Sequence, residues 1–484
     1  MSMDAADLSI HRSEPRRIRE SQDVDPITTE IIRNALLSAA EQVKRTVVRT
    51  AFSPIVYETL DFAVSIYDAQ VRLIAQAPTV HFFMGILESA VAEAVRAVGV
   101  ETLVPGDIIL FNDPYHSGSH AQDAAMIMPT FIEGESRPIG YVAIMEHWLD
   151  IGAKDPYCTD TVDVFQEGTK FPGVKLYDAG VLNTDIHRIV MANTRVPKLL
   201  EPEIDAQVGS LRTGAEAFAR VVERYGVETF LQAVERILDA GEAVVREYLE
   251  QIPDGTYVGH GVLDDNGVDE ELLPFDVEVR VSGSTVTVDF SGVPDAQPTP
   301  INTSSPATVC VSRVALSMLA GNAEPPNDGH FRPIEVVTRP GSLFHPLPPS
   351  PCFLGWGAIQ TFEVIFEAMA DALPGSAPAW SAADVPALIW WGVREATGEA
   401  WADACPLPIG HGGSAESDGK SSIMHASQSA TSFPPVEIWE AKDPWVVEHF
   451  ELAPDSGGAG RHRGGLGIDL VLRATEDHWV TVVV

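Results

Sequence analysis

The run I-I-L-F-N-D-P-Y-H-S-G-S-H-A-Q-D, residues 108–123, divides into two kinds of chain. Ile108 to Phe111 is four apolar residues just after the turn Pro105-Gly106-Asp107, a pattern that predicts a short buried strand. Pro114, Gly118 and the small polar residues around them then break regular structure, so residues 112–123 read as a loop. Two apolar runs follow, at 125–131 and 140–145, separated by Glu133-Gly134-Glu135-Ser136. That spacing predicts a β-hairpin. His147 stands just past its second strand. A hairpin brings its ends together, so His147 is expected to return to His120 and Asp123 at its base.

The flanking sequence is consistent with a mixed fold. Asp25-Pro26 combines a capping carboxylate with a proline suited to the first helical position. Ile32, Leu36, Ala39, Val43 and Val47 then recur at helical spacing, and the helix is expected to end near Ser53-Pro54. Strand-like pieces at 60–67 and 71–74 flank a turn at 68–70. A second helix is expected over 83–98, stopped by Gly99. Residues 211–250 are amphipathic and helical, broken near Gly226. In the second half Val277, Val279 and Val281 alternate with charged residues, Ser282-Gly283-Ser284 turns the chain, and Val286, Val288 and Phe290 alternate back. This is a second hairpin. Helical runs occur at 308–320 and 359–372, and from Pro378 onward Gly, Pro and Trp dominate.

The expected class is α+β: a helical first half with hairpins and a loop-rich, β-containing second half. The expected division is a flexible tail over 1–24, a metal-binding α+β domain over 25–254, and a β-rich α+β domain over 255–484. The closing V-T-V-V-V reads as a strand, either at a cut end or paired elsewhere.

Charge narrows the function. The chain carries 32 basic and 69 acidic residues, a net charge of −37. Nucleic-acid binding needs a basic face, and so does docking on an anionic membrane, so neither is expected. The four cysteines form no C-x-x-C pair, which argues against a thiolate metal site or a redox motif. Their sparse use, the lack of an apolar leader, and the lack of the roughly 18 apolar residues of a membrane span predict a cytoplasmic protein.

The residues that carry chemistry sit around the first hairpin. Two imidazoles and a carboxylate, His120, Asp123 and His147, suit a divalent ion such as zinc, manganese or iron. Asp61, in L-D-F, is a carboxylate in an apolar stretch, which is costly unless it is paired or metal-bound. His116 and His120 have zincin-like spacing, but Gly118 and the serines exclude the helix that motif requires. Gly413–Ser421, G-S-A-E-S-D-G-K-S, misses the phosphate-binding G-x-x-x-x-G-K-[ST] by one residue. The glycines of 455–467 are better explained by a tight backbone crossing.

Taken together these segments resemble the hydantoinase B/oxoprolinase family. F-N-D-P-Y-H-S-G-S-H-A-Q-D resembles its N-D-P-Y-x-G-G-T-H-x-x-D signature, and E-H-W-L-D-I-G-A at 146–153 is similar to its H-H-x-D-I-G-G. F-Q-E-G at 165–168, P-G-V-K-L-Y at 172–177, R-P-I at 332–334, P-V-E at 435–437 and D-S-G-G-A-G-R-H-R-G-G-L-G at 455–467 follow in family order. The resemblance implies a two-component enzyme, a hetero-oligomer. A hydantoinase A-type ATPase subunit would bind ATP-Mg and phosphorylate the carbonyl oxygen of a small-molecule substrate. This chain would hold the metal through His120, Asp123 and His147, with Asp61 as a fourth ligand. The implied reaction is hydrolysis of a cyclic amide of hydantoin, oxoproline or lactam type, with Asp150 or His81 handling protons.

The alternative is ketone carboxylation of the acetone or acetophenone type, joining bicarbonate to an enol phosphate. An iron-dependent oxygenase and a non-catalytic scaffold subunit are the remaining alternatives. The chain departs from the family pattern at Ser117, Trp148 and Ala153, and carries L-G-W-G-A at 354–358 in place of a G-G-N segment. With Trp390 and Trp391, these departures predict a more apolar pocket.

Overall fold

The computed structural model describes residues 24–268, 272–320, 325–375, 377–428 and 431–483. The expected tail lies outside the described residues except for Val24, which is buried. The first helix, Pro26–Thr50, begins as its sequence requires: the Asp25 carboxylate accepts from the backbone N–H groups of Ile27 and Thr28, with Pro26 at the first position. Its five periodic residues are all buried.

The centre of the fold is a seven-stranded sheet. In chain order its strands are β1 (Phe62–Asp68), β2 (Leu73–Ala77), β3 (Ile108–Phe111), β4 (Asp123–Thr130), β5 (Gly140–His147), β6 (Pro172–Asp178) and β7 (Val181–Leu182). In space they run β2-β1-β5-β4-β3-β6-β7, every neighbouring pair antiparallel. The expected hairpins are β1–β2 and β4–β5.

β1 to β5 read as largely apolar runs because both faces of this part of the sheet are covered, whereas β6 and β7 at the edge are partly exposed. Phe62, Val64, Ile66, Met126, Val142 and Ile144 pack on one side with residues of Pro26–Thr50 and of the helix Pro197–Tyr225. Their alternates Ala63, Tyr67, Ala125, Ile127, Ala143 and Met145 pack on the other side, against the helix His81–Val98. The period of two along each strand thus divides the core into two clusters. A short helix, Thr184–Ala192, follows β7, and the long helix expected from 211 starts at Pro197 and includes Pro202. It ends, as expected, at Gly226, and Val227–Leu249 follows.

The second half stacks on the His81–Val98 side. That helix packs on Ser305–Leu319, which packs on Trp356–Ala370, which covers a four-stranded sheet. The strands of that sheet are β8 (Gly255–Leu263), β9 (Leu273–Ser282), β10 (Thr285–Asp289) and β11 (Ile334–Val337), in the order β11-β10-β9-β8. β9 and β10 are the second expected hairpin. One apolar cluster runs continuously from β1 through Ser305–Leu319 to β9.

The Gly, Pro and Trp-rich remainder holds more strand than its sequence indicated. β12 (Ala387–Val393), β13 (Ala400–Pro406) and β16 (Trp479–Val483) form a sheet in the order β13-β12-β16, and β14 (Trp445–Leu452) pairs with β15 (Ile468–Ala474). Residues 480–483 of the final apolar run therefore belong to a strand paired with β12. The class is α+β. Among the described residues no helix is long and apolar enough to cross a membrane.

Candidate metal centre

Three neighbouring strands deliver the central ligands. Asp123 opens β4, His147 closes β5, and the two are direct cross-strand partners. Asp61 immediately precedes β1, and its carbonyl accepts from the His147 N–H at 3.3 Å. Leu60, at φ +65°, turns the chain into that position, a backbone conformation that non-glycine residues rarely adopt.

His120 comes from the loop. The loop is fixed by Asn112, whose buried side chain donates to Ala121 O at 2.6 Å and Thr169 O at 3.0 Å, and by Asp113, which caps the short helix Pro114–Ser117. Gly118 follows at φ +82°. A Cβ there would lie 2.7 Å from Ile86 Cγ2 and 3.2 Å from Ala307 N, so the loop is pressed between two helices where only glycine fits.

His120 Nε2 lies 3.0 Å from His147 Nδ1 and 3.3 Å from an Asp123 oxygen, and His147 Nδ1 lies 3.0 Å from the other Asp123 oxygen. One ligand atom from each residue falls within 4.8 Å of the other two. The His120 ring is oriented by Phe353, whose carbonyl is 3.2 Å from Nδ1. A carbonyl only accepts, so Nδ1 carries a hydrogen, and in the neutral ring Nε2 turns a lone pair toward Asp123 and His147. Ser119 Oγ also donates to Asp123.

The electrostatics match this crowding. Burial raises the Asp61 carboxyl to about 6, with repulsion from Asp123 adding to it and the two histidines opposing it. For Asp123 burial acts upward too, but His120 and His147 outweigh it and hold the group below its ordinary range. Burial works to lower His120, and Asp123 and Asp61 overcome it.

These residues line one end of a cavity of about 110 Å³. The rest of the lining is largely apolar and comes from distant parts of the chain: Phe82 and Phe83, Phe353 to Trp356, Val385 and Ile389. Tyr157 stands edge-on to His120 and Phe353, with ring centroids 5.6 and 4.9 Å away.

A family model described as hydantoinase B/oxoprolinase matches residues 25–484. The chain belongs to the hydantoinase B/oxoprolinase family. It is 29% identical over 472 residues to a protein of Pseudomonas sp. (strain NS671) provisionally named as the B component of a D-/L-hydantoinase, covering 92% of this chain and 77% of that one. The crystal structure of the ATP-dependent caprolactamase from Pseudomonas jessenii matches with a TM-score of 0.86 at 26% identity, over 94% of this chain and 79% of that chain. The nucleotide-free structure of acetone carboxylase matches with the same TM-score at 20% identity, over 95% of this chain and 63% of that chain. This last likeness is one of fold.

Within this hydantoinase B/oxoprolinase chain, the structure brings together four of the residues singled out from sequence, His120, Asp123, His147 and Asp61, with Asp61 lining the same cavity outside the tightest trio. Asp150 is not brought in. Its buried carboxylate accepts from the Arg195 backbone N–H and pairs with the Arg195 guanidinium, an anchoring role. His81 opens its helix, and its side chain lies outside the described residues. His116 pairs with Asp113 at 3.8 Å, away from the ligand trio. Gly413–Ser421 has no helix after it, as a phosphate loop would require.

Of the bulky residues expected in the pocket, Leu354 and Trp356 line it, but Trp148 and Trp391 do not, and neither does Trp390. It is buried in a separate cluster with Trp439 and Trp445, centroids 5.4 and 6.2 Å away. The sequence reading missed Tyr157, Phe353 and Glu167. Glu167 belongs to the quoted F-Q-E-G motif. Its carboxylate accepts from Cys352 N at 2.8 Å and Thr161 Oγ1 at 3.0 Å, bracing the segment that carries Phe353.

Proposed function

We propose that this chain is the metal-binding catalytic subunit of an ATP-dependent two-component enzyme that hydrolyses a cyclic amide of hydantoin, oxoproline or lactam type. Its partner is a hydantoinase A-type ATPase subunit, which binds ATP-Mg and phosphorylates the carbonyl oxygen of the substrate. The names of the hydantoinase and caprolactamase relatives support both the ATP dependence and the division into subunits. Four free, buried cysteines suit the cytoplasm.

The observation that carries this reading is the set of ligand atoms at the polar end of an apolar cavity. The residues present fit a divalent ion, whether zinc, manganese or iron. Asp123 Oδ1 and the His120 Nε2 lone pair both face the single hydrogen that His147 Nδ1 can offer, and the buried Asp61 Oδ1 has no hydrogen-bond partner. Acceptors crowded in this way are satisfied by a cation. Such an ion, held by His120, Asp123 and His147 with Asp61 as fourth donor, supplies Lewis acidity to an oxygen of the reacting group. Phosphorylation makes a poor electrophile imidate-like, and the apolar walls exclude water that is not taking part. Tyr157 keeps its proton, because burial and the nearby Asp123 and Asp61 raise its pKa, so its phenol remains a donor beside the reacting group.

Elemental analysis of purified wild type beside His120→Ala tests the ligand set. Metal in the wild type, its loss in the variant, and bicarbonate-independent, ATP-dependent ring opening by the assembled enzyme are expected. Full activity of His120→Ala and Asp123→Ala in the assembled complex overturns the reading in favour of a scaffold subunit. The apolar wall around Leu354 and Trp356 favours ketone carboxylation as the second reading. A bicarbonate requirement with a carboxylated product decides for it.

A further inference from the structure

The cavity wall away from the metal ligands is not only apolar: Ser427 and Gln428 line it beside Phe82, Trp356 and Ile389. Behind Ser427 runs a chain of buried polar groups that the proposed metal chemistry leaves unused. The single turn Ala426–Gln428 is closed by Gln428 N, which donates to His425 O at 2.8 Å. That turn folds Ser427 back over the His425 ring. Its Oγ lies 2.9 Å from Nδ1, and its backbone N–H donates to the same nitrogen at 3.2 Å. A backbone N–H only donates, so Nδ1 carries a lone pair and the ring hydrogen sits on Nε2. Nε2 faces Glu363 Oε1 at 3.3 Å, on the helix Trp356–Ala370. The same Glu363 oxygen accepts from Ser381 N at 3.2 Å, and Phe362 stands edge-on to the His425 ring at 6.1 Å. Ser427, His425 and Glu363 are all buried.

The carboxylate is the telling member of this chain. In a turn held only for its shape, a backbone carbonyl would satisfy Nε2. A buried carboxylate is costlier, and what it adds is a fixed tautomer and a counter-charge for an imidazolium. Carboxylate, imidazole and hydroxyl in hydrogen-bonded order, with the hydroxyl on a cavity wall, is the arrangement that activates a serine. The two ring nitrogens are exchanged relative to the serine-protease triad, since here Nδ1 serves the hydroxyl.

We propose that Ser427 is a nucleophile of this cavity, with His425 as its general base and Glu363 orienting the imidazole. Its turnover rests on the reading of the chain as the proposed hydrolase. Ser427 Oγ bonds to the imidate-like carbon of the phosphorylated substrate. The carbon–oxygen bond to phosphate breaks, and the serine proton passes through His425 Nδ1 to the departing phosphate. Water adds to the resulting imidate ester: its oxygen stays on the carbon, both its hydrogens go to the ring nitrogen, and the ring carbon–nitrogen bond breaks. A second water cleaves the Ser427 ester, its hydroxyl going to the acyl carbon and its other hydrogen to Oγ.

Methanesulfonyl fluoride tests the serine without any substrate. It is a small molecule that transfers its sulfonyl group to an activated serine oxygen with loss of fluoride. Peptide mass spectrometry of the full chain is expected to find the sulfonyl group on Ser427. Labelling is expected to slow by at least about a hundredfold in His425→Gln. In Glu363→Gln, which keeps an acceptor for Ser381 N and nearly the same volume, it is expected to slow by at least about tenfold. In the assembled enzyme Ser427→Ala is expected to lower kcat for ATP-dependent ring opening by at least about a hundredfold. No sulfonyl group on Ser427, equal labelling in the two variants, or undiminished ring opening by Ser427→Ala overturns the proposal and leaves the hydrolase reading standing. Labelled Ser427 in a chain whose assembled complex opens neither hydantoin, 5-oxoproline nor caprolactam does the reverse: the activated serine stands and the hydrolase reading falls.

Discussion

The two sides of the cavity are built from different kinds of chain. On the ligand side, β1, β4 and β5 are buried on both faces, and each lies between two neighbouring strands. Asp61, Asp123 and His147 sit at one end of these strands, where neither a strand nor a side chain can shift without disturbing a packed layer. On the wall side, Phe353 to Trp356 is a loop running into a helix, and Val385, Ile389 and Ala404 belong to or border a small three-stranded sheet. Beside that sheet, glycine-rich segments cross at backbone distance. The contrast assigns two jobs: the large sheet fixes the metal ligands, and the loops and small sheet decide which substrate fits against them.

The largest expected effect tests the sheet side. Asp123→Asn keeps the volume and removes the charge that faces both imidazoles. Metal content is expected to fall from about one per chain to below about a tenth, and activity by at least about a hundredfold, since loss of mere outer partners already costs about 10–100-fold. The unfolding temperature is expected to fall to that of the metal-free wild type. Retained metal in Asp123→Asn removes the distinction between the two sides.

Next in size is a change on the wall side. A Cβ at Gly412 would lie 1.8 Å from Ala379 O, where backbone meets backbone and no side chain can yield. Gly412→Ala is expected to cost about 3 kcal/mol or more and to lower the midpoint of thermal unfolding by several degrees, while metal content stays at the wild-type level. Loss of metal in this variant would show that the two sides are not independent.

Glu167 joins the sides, and its effect follows pH. Burial pushes its carboxyl up to about 7 from 4.5, against the hydrogen bonds from Cys352 N and Thr161. The folded chain thus binds more protons than the unfolded chain between those values. Its contribution is favourable below about 4.5 and is lost as pH rises through about 7. The loss is up to about 3 kcal/mol. Unfolding free energy measured from pH 4.5 to 8 is expected to fall more steeply in the wild type than in Glu167→Gln. Parallel curves would show that Glu167 does not carry this dependence.

The same contrast explains what the sequence revealed. Ile108 to His147 was legible because loop, strand and hairpin follow one another, so the meeting of His120, Asp123 and His147 needed only local turns. Asp61 was visible as a charge in an apolar run. Phe353 and Trp356 lie more than two hundred residues from His120, and nothing local marks a residue whose partner is so distant. β12 and β13 escaped because A-L-I-W-W-G-V and A-W-A-D-A-C-P lack clean alternation: Trp390 and Cys405 are buried in one cluster while Ile389 and Ala404 pack into another. Asp150 looked like a proton carrier from its motif, and only the fold reveals Arg195 beside it.

The smallest expected effect concerns Trp356, which serves both substrate and wall. Its ring lines the cavity, and its Nε1–H donates to Asp384, a carboxyl that burial raises and that also accepts from Val385 N at 2.7 Å. Trp356→Phe keeps most of the apolar face and removes the donor. Asp384 retains the Val385 bond and, with its raised pKa, can take up a proton more readily than an ordinary aspartate, so the cost is expected to be about 1 kcal/mol. Lactam affinity is expected to change by less than about threefold, because the ring face and not the indole N–H meets the substrate. Denaturant unfolding and calorimetric titration of the variant measure the two quantities separately. If affinity falls much further while stability holds, the indole N–H points to the ligand in solution, and the wall contributes a polar contact of its own to substrate choice.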